Sequence, residues 1–275
     1  MNKIEASGLT VRYRDGNGVF TALEDVSFVV GNGEFVCIIG SSGCGKSTLL
    51  GVLGGLRRPD AGKASIDGKK ITGPGPDRSM VFQHYSLFPW MTARNNVAFG
   101  IKQVRKNLSR GERLDRAGIF LDRVGLLNFQ NKYPGQLSGG MRQRVAIARS
   151  LAMDTEILLM DEPFGAVDAK NRTILQELLL KLWEGGEDDV VYPPGESSRS
   201  RERKTVVFVT HDIDEAVLMA DRIIMMSDSP GKICREISVP FERPRNRAAL
   251  IQAPEYTRLR SELLALFFND FGSAI

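Results

Sequence analysis

Cysteine is scarce in this sequence. The 275-residue chain has three, Cys37, Cys44 and Cys234, and an odd, scattered trio does not make a disulfide framework. Long apolar runs are absent: none approaches the roughly 18 residues that a membrane-spanning helix needs. The N-terminus, M-N-K-I-E-A-S, lacks the apolar stretch of a secretory signal. Together these absences lead us to expect a product that stays in the cytosol. Charge of one sign is not in excess either, with 37 Lys and Arg against 33 Asp and Glu and a net charge of +4. The only dense basic stretch lies near residues 199–204, so a nucleic-acid partner is not demanded. What remains is 42% apolar and 25% charged, ordinary for a globular chain with room for one large domain or two small ones.

Against that plain background, G-S-S-G-C-G-K-S-T at residues 40–48 stands out. It fits the phosphate-loop pattern G-x-x-x-x-G-K-[ST] at every fixed position. The preceding E-F-V-C-I-I reads as a short buried strand, and S-T-L-L-G-V-L reads as the helix that follows. Glycines let successive backbone N–H groups turn inward as an anion nest. The helix N-terminus adds unpaired N–H groups and partial positive charge. The candidate phosphate-binding residues are Gly40, Ser41, Ser42, Gly43, Cys44, Gly45, Lys46, Ser47 and Thr48. Lys46 can reach the β- and γ-phosphates, and the Ser47 hydroxyl is a Mg²⁺ ligand in such loops. Cys44 lies next to that positive pole, where thiols become reactive; the favoured reading is that it is there because it is small.

About ninety residues on, L-S-G-G-M-R-Q-R-V-A-I-A-R-S-L-A begins at Leu137. Ser138 is placed to cap a helix over about 139–152, and Gly139 and Gly140 leave its first amides uncovered, which makes a second anion site. On the residues alone, an ordinary capped surface helix is an equal reading. Then I-L-L-M-D-E-P at residues 157–163 reads as a buried parallel strand with Asp161 and Glu162 at its C-terminal end, where open α/β sheets bind ligands. Asp161 is a candidate Mg²⁺ ligand and Glu162 a candidate general base for an attacking water. By itself the pair is equally well an acidic turn.

The motifs in this order and near this spacing closely resemble the ATP-binding-cassette (ABC) ATPases, over about residues 3–240. The resemblance implies a P-loop NTPase α/β core with an antiparallel β subdomain and a helical subdomain that carries the signature motif. It implies ATP and Mg²⁺ as cofactors, and two copies of the chain closing around ATP. Ser138 and Gly140 would then contact the γ-phosphate of ATP held by the other copy. Met141 stands where the commonest family pattern has Gln, which removes that side-chain contact but not the amides. Gln83 resembles the family's Q-loop glutamine, which senses metal and lytic water. His211, in V-F-V-T-H-D, resembles the switch histidine that contacts the γ-phosphate, and Asp168, in F-G-A-V-D, resembles the D-loop aspartate that couples the two sites. Tyr13 sits where the family stacks an aromatic on adenine, although a strand-end Tyr more often packs. His84, the other histidine, reads as a surface or structural residue.

The expected organisation is an ABC ATPase domain over residues 1–240 and a C-terminal helical extension over 241–275. Residues 3–30 read as an antiparallel pair with a turn at Asp15–Gly18, about 85–153 as mostly helical, and 255–268 as an amphipathic helix carrying Tyr256, Leu259, Leu263, Leu266 and Phe267 on one side. Residues 185–204 depart from the family, with a composition that favours a mobile loop; a tolerated surface insertion is the favoured reading, and a docking or regulatory site the alternative. Y-S-L-F-P-W-M-T-A-R-N-N-V (residues 85–97), H-D-I-D-E-A-V (211–217) and S-P-G-K-I (229–233) are similar to importers of nitrate, taurine and aliphatic sulfonates. Polyamine and iron importers share part of that pattern. The implied partners are an integral membrane permease and, indirectly, an extracytoplasmic solute-binding protein, with this chain at the cytoplasmic face of the plasma membrane. A non-transport ABC ATPase is the alternative, but the coiled coils, zinc modules or paired cassettes usual there are missing.

Overall fold

Alternation in the first thirty residues builds a long hairpin. In the computed structural model, which describes residues 2–16, 18–184 and 203–271, β1 (Asn2–Asp15) pairs antiparallel with β2 (Gly18–Gly31). On β2, Val26, Phe28 and Val30 are buried while Ser27 and Val29 face out, the period-2 pattern of a half-buried strand. Next come β3 (Phe35–Ile39), α1 (Lys46–Leu53), β4 (Ala61–Ile66) and β5 (Lys69–Lys70). The chain then forms β6 (Arg78–Val81), α2 (Ala93–Val104), α3 (Arg110–Arg123), α4 (Gly139–Met153), β7 (Ile157–Asp161) and α5 (Ala169–Glu184). It finishes with β8 (Thr205–Val209), α6 (Ile213–Met219), β9 (Arg222–Met226), β10 (Ile233–Ser238), α7 (Arg247–Gln252) and α8 (Pro254–Phe271). Most of the expected 185–204 insertion, residues 185–202, lies outside the described residues. Among the described residues no helix is long and apolar enough to cross a membrane.

Among the described residues these elements sort into two compact units, one within residues 1–74 and 205–275 and one within residues 75–204. The first unit holds an antiparallel sheet, in the order β2-β1-β4-β5, and a second group of strands in the order β10-β9-β3-β8. In that group β3 runs parallel to both β8 and β9, while β10 is antiparallel to β9. Every residue of β3 and β8 is buried, which is why these strands are unbroken apolar runs rather than alternating ones. Leu49, Leu50 and Leu53 of α1 and Val217 and Met219 of α6 supply further core. Helix α8 packs on α6, burying Tyr256, Leu259 and Leu263, and the Tyr256 hydroxyl donates to Asp214 at 2.7 Å. Leu266 and Phe267, expected on the same face, are half-buried.

In the second unit, β6 and β7 pair in parallel and α2, α3 and α4 pack on one another. Each helix starts at a hydroxyl cap: Thr92 for α2, Ser109 with Glu112 as a capping box for α3, and Ser138 for α4. At its far end α4 stops at Asp154, which has a left-handed backbone (φ 53°) and a fully enclosed carboxylate. That carboxylate accepts from Arg105 and from Lys204, both at 2.5 Å, and lies 3.8 Å from Arg116. Arg116 in turn donates to the Ala152 carbonyl at 2.9 Å. One buried anion thus ties the ends of α2 and α4, the middle of α3 and the residue preceding β8.

Candidate functional site

In the first unit, residues 40–45 form the turn between β3 and α1. Gly45 caps α1 with φ 99°, a conformation costly for any residue with a Cβ. A Cβ there would also lie 2.6 Å from the Ala22 carbonyl oxygen, so the loop is held tightly against β2. No side chain caps α1, and the first amides of a helix have no intrahelical partner. Lys46 is buried, and its Nζ donates to the Gly40 and Ser41 carbonyl oxygens at 2.7 and 2.6 Å. Ser41 donates its hydroxyl to Asp228, and Gly231 exchanges backbone hydrogen bonds with Ala22 and Glu24. The S-P-G-K segment therefore lies beside the phosphate loop, a placement its sequence does not reveal. Ser42, Gly43 and Ser47 are exposed.

Cys44 is buried. Burial pushes its thiol pKa up more than the neighbouring Lys46 ammonium pulls it down, so the thiol stays protonated at neutral pH and is a poor nucleophile. The small-residue reading is the one this geometry favours. Cys234 is exposed and is expected to react with an alkylating reagent well before Cys44. Added ATP should slow Cys44 further and leave Cys234 unchanged; equal Cys44 labelling with and without ATP would count against its lying in a nucleotide site.

Two more predicted residues belong to this unit. His211 lies between β8 and α6, where Asp212 caps α6 by accepting from the amides of Asp214 and Glu215. Tyr13, 40% exposed near the end of β1, shares a hydrogen bond of 3.1 Å between its hydroxyl and that of Thr48.

The second unit holds the other predicted residues. Asp161 is the last residue of β7 and is buried. Glu162 follows it with φ 44°, a left-handed backbone unusual for a residue with a long side chain and the kind of strain that gathers at functional sites. Gln83 lies two residues beyond the end of β6, and its Nε2 donates to Glu162 Oε2 at 3.4 Å. Thus two residues 79 apart in sequence meet. Asp168 caps the start of α5, and two hydrogen bonds from Asn171 hold its carboxyl below the usual range.

Ser138 caps α4 as expected, its oxygen accepting from the Met141 amide at 3.3 Å. Its glycines have a further reason to be small. A Cβ on Gly140 would lie 3.0 Å from the Ala166 carbonyl oxygen, so the segment before Asp168 packs directly on the start of this helix. The stretch between β6 and α2 is shaped by Asn96, which is fully buried. Its side chain bonds the backbone of Phe88, Met91 and Thr92 and leaves Trp90 69% exposed. His84 is exposed.

Residues 23–165 match the family model described as ABC transporter. The chain is 46% identical over 256 residues to a nitrate import ATP-binding protein, NrtD, of Synechococcus elongatus, covering 93% of this chain and 88% of that relative. It is 44% identical to a bicarbonate transport ATP-binding protein, CmpD, of Synechocystis, covering 94% and 87%. Among solved structures, a dimeric post-hydrolysis state of the ATP-binding cassette MJ0796 bound to ADP and phosphate matches with a TM-score of 0.75 and 36% identity, covering 87% of this chain and all of that one.

Proposed function

The chain belongs to the ABC transporter family of ATP-binding proteins, and from that premise we propose that it is the ATP-hydrolysing subunit of an importer of small anions, nitrate first among them. The observation that carries the solute class is the 46% identity, over 93% of the chain, to a nitrate import subunit. The 44% identity to a bicarbonate subunit supports a second solute of similar size and charge. The chain itself does not select between them; its exposed Trp90 face meets the permease, and a separate extracytoplasmic binding protein meets the solute. It works at the cytoplasmic face of the membrane.

In this reading two copies bind two ATP molecules. The amides of residues 40–48 and the start of α1 hold the phosphates, and Lys46 exchanges its carbonyl partners for the β- and γ-phosphates. Ser138 and Gly140 of the opposite copy close on the γ-phosphate, and Asp168 couples the two sites. Glu162 takes a proton from the attacking water while Gln83 orients its carboxylate, and His211 steadies the transferring phosphoryl group. Tyr13 stacks on adenine. A bound Mg²⁺ would supply positive charge to offset the negative charge of the phosphates. Ser47, Gln83 and Asp161 would hold it. Their hard oxygen donors suit this ion, with phosphates and water completing its shell.

The test is growth of cells carrying Lys46→Ala in place of this chain. Failure on nitrate as sole nitrogen source, with normal growth on ammonium, is the expected outcome. Failure only at low inorganic carbon would transfer the assignment to bicarbonate, and failure only on taurine or an alkanesulfonate as sulfur source would transfer it to those anions. Normal growth in all of these conditions would remove the small-anion reading.

A further inference from the structure

The phosphate-binding residues are accounted for above, but one side chain beside them has no role in that account. Arg57 lies just beyond α1, and its guanidinium carbon is 3.7 Å from the centre of the Tyr13 ring. Its position is fixed from the other side as well, because one of its terminal nitrogens donates to the Arg12 carbonyl oxygen at 2.6 Å. Three residues on, Asp60 accepts from the Arg12 amide at 2.7 Å and donates its own amide to the Thr10 carbonyl at 2.8 Å. The segment from Arg57 to Asp60 is therefore laced onto β1 around Tyr13. At its other end Tyr13 is tied to the first turn of α1 through Thr48.

We propose that Arg57 is a positioning residue for the nucleotide base, acting through Tyr13: it covers one face of the ring and presents the other to a purine. This rests on the reading of Tyr13 as the adenine-stacking residue. The physics is that of preorganisation. An exposed tyrosine samples several rotamers on the ps–ns timescale, and ordering it on binding costs free energy. A planar cation stacked on one face and a hydroxyl tether at the ring's edge meet that cost before the base arrives. Arg57 touches neither phosphate nor reacting atoms in this scheme, so its effect should appear in base-dependent affinity alone.

Calorimetric titration of the full chain with ADP and with pyrophosphate, both with magnesium, separates the possibilities. The variants are Arg57→Ala, Arg57→Gln, which keeps most of the stem, Tyr13→Ala and the Arg57→Ala/Tyr13→Ala double variant. Arg57→Ala should weaken ADP about three- to tenfold, the span of one partly exposed cation–π contact, and leave pyrophosphate unchanged. Arg57→Gln should act in the same direction, and it carries the test if the alanine variant does not fold. The double variant should bind ADP no more weakly than Tyr13→Ala, because Arg57 acts only through that ring. ADP bound as tightly as by the wild type, or more tightly, after Arg57 is removed would overturn the proposal while Tyr13→Ala still weakened it. So would an equal loss for pyrophosphate, or a loss that adds in full to that of Tyr13→Ala. If Tyr13→Ala itself left ADP affinity unchanged, the adenine-stacking reading would fail and take the proposal with it.

Discussion

Glu162→Gln is expected to lower ATP turnover by about 10²- to 10⁴-fold, the range of a lost general base, while ATP affinity stays near that of the wild type. The substitution keeps the size and shape of the side chain and removes its capacity to accept a proton. The left-handed backbone at φ 44° is set by the chain around it and survives the change, so stability should barely move. Gln83 donates to the carboxylate at 3.4 Å and retains an oxygen to donate to. With hydrolysis blocked and binding intact, ATP should hold two copies together, visible as a dimer in size-exclusion chromatography that wild-type protein loses as it turns over. Glu162→Gly is an instructive companion. It should be as inactive, yet relief of the left-handed strain, about 1–3 kcal/mol for such a residue, should offset much of what the lost side chain costs in stability. Glu162→Gln retaining more than about a tenth of wild-type turnover would place the general base elsewhere.

The second large effect concerns stability. Asp154→Asn should destabilise the protein by about 3–5 kcal/mol at pH 7, as expected when one partner of a buried ion cluster is removed. Asparagine tolerates the left-handed backbone that Asp154 adopts, so the change isolates the charge from the fold of the loop. Burial pushes the Asp154 carboxyl up, but Lys204, Arg105 and Arg116 together outweigh it and hold the group below the usual aspartate range. A depressed carboxylate stabilises fully above its unfolded-state value of about 3.9. The contribution is lost as pH falls from there through the lower folded-state value. The gap in urea midpoint between wild type and variant should therefore be constant from neutral pH to about pH 5 and narrow below about pH 4. A gap that persisted undiminished into acid would mean that the asparagine harms packing rather than charge balance.

The contrast between these two residues marks what the sequence makes legible. Glu162 announces itself, because a buried apolar strand ending in Asp-Glu leaves a local pattern, as do the hydroxyl cap at Ser138 and the glycine turn before Lys46. The strands at 35–39, 157–161 and 205–209 are readable for the same reason: burial on both faces demands consecutive apolar side chains. Asp154 leaves no such trace. Its partners lie 49, 38 and 50 residues away, and an ion pair across that separation has no period. The same holds for Arg57 over Tyr13 and for Asp228 on Ser41. Nor does the sequence reveal that Glu162 adopts a left-handed backbone, since the chain around it, not its own preference, imposes that geometry. Helix α7, of six residues, is too short for periodicity to be read.

Strand β3 lies between β8 and β9, and its partners are made about 170 residues after it. During translation at roughly 5–20 residues per second, Phe35–Ile39 must therefore wait on the order of ten to thirty seconds for neighbours, an apolar ribbon with both edges open. Most of the intervening chain belongs to the other compact unit and supplies β3 with no neighbour. The phosphate loop, hung on the end of that waiting strand, is thus among the last parts of the polypeptide to take shape. A nascent chain stalled on the ribosome before residue 205 should not yet retain nucleotide, however complete the loop's own sequence.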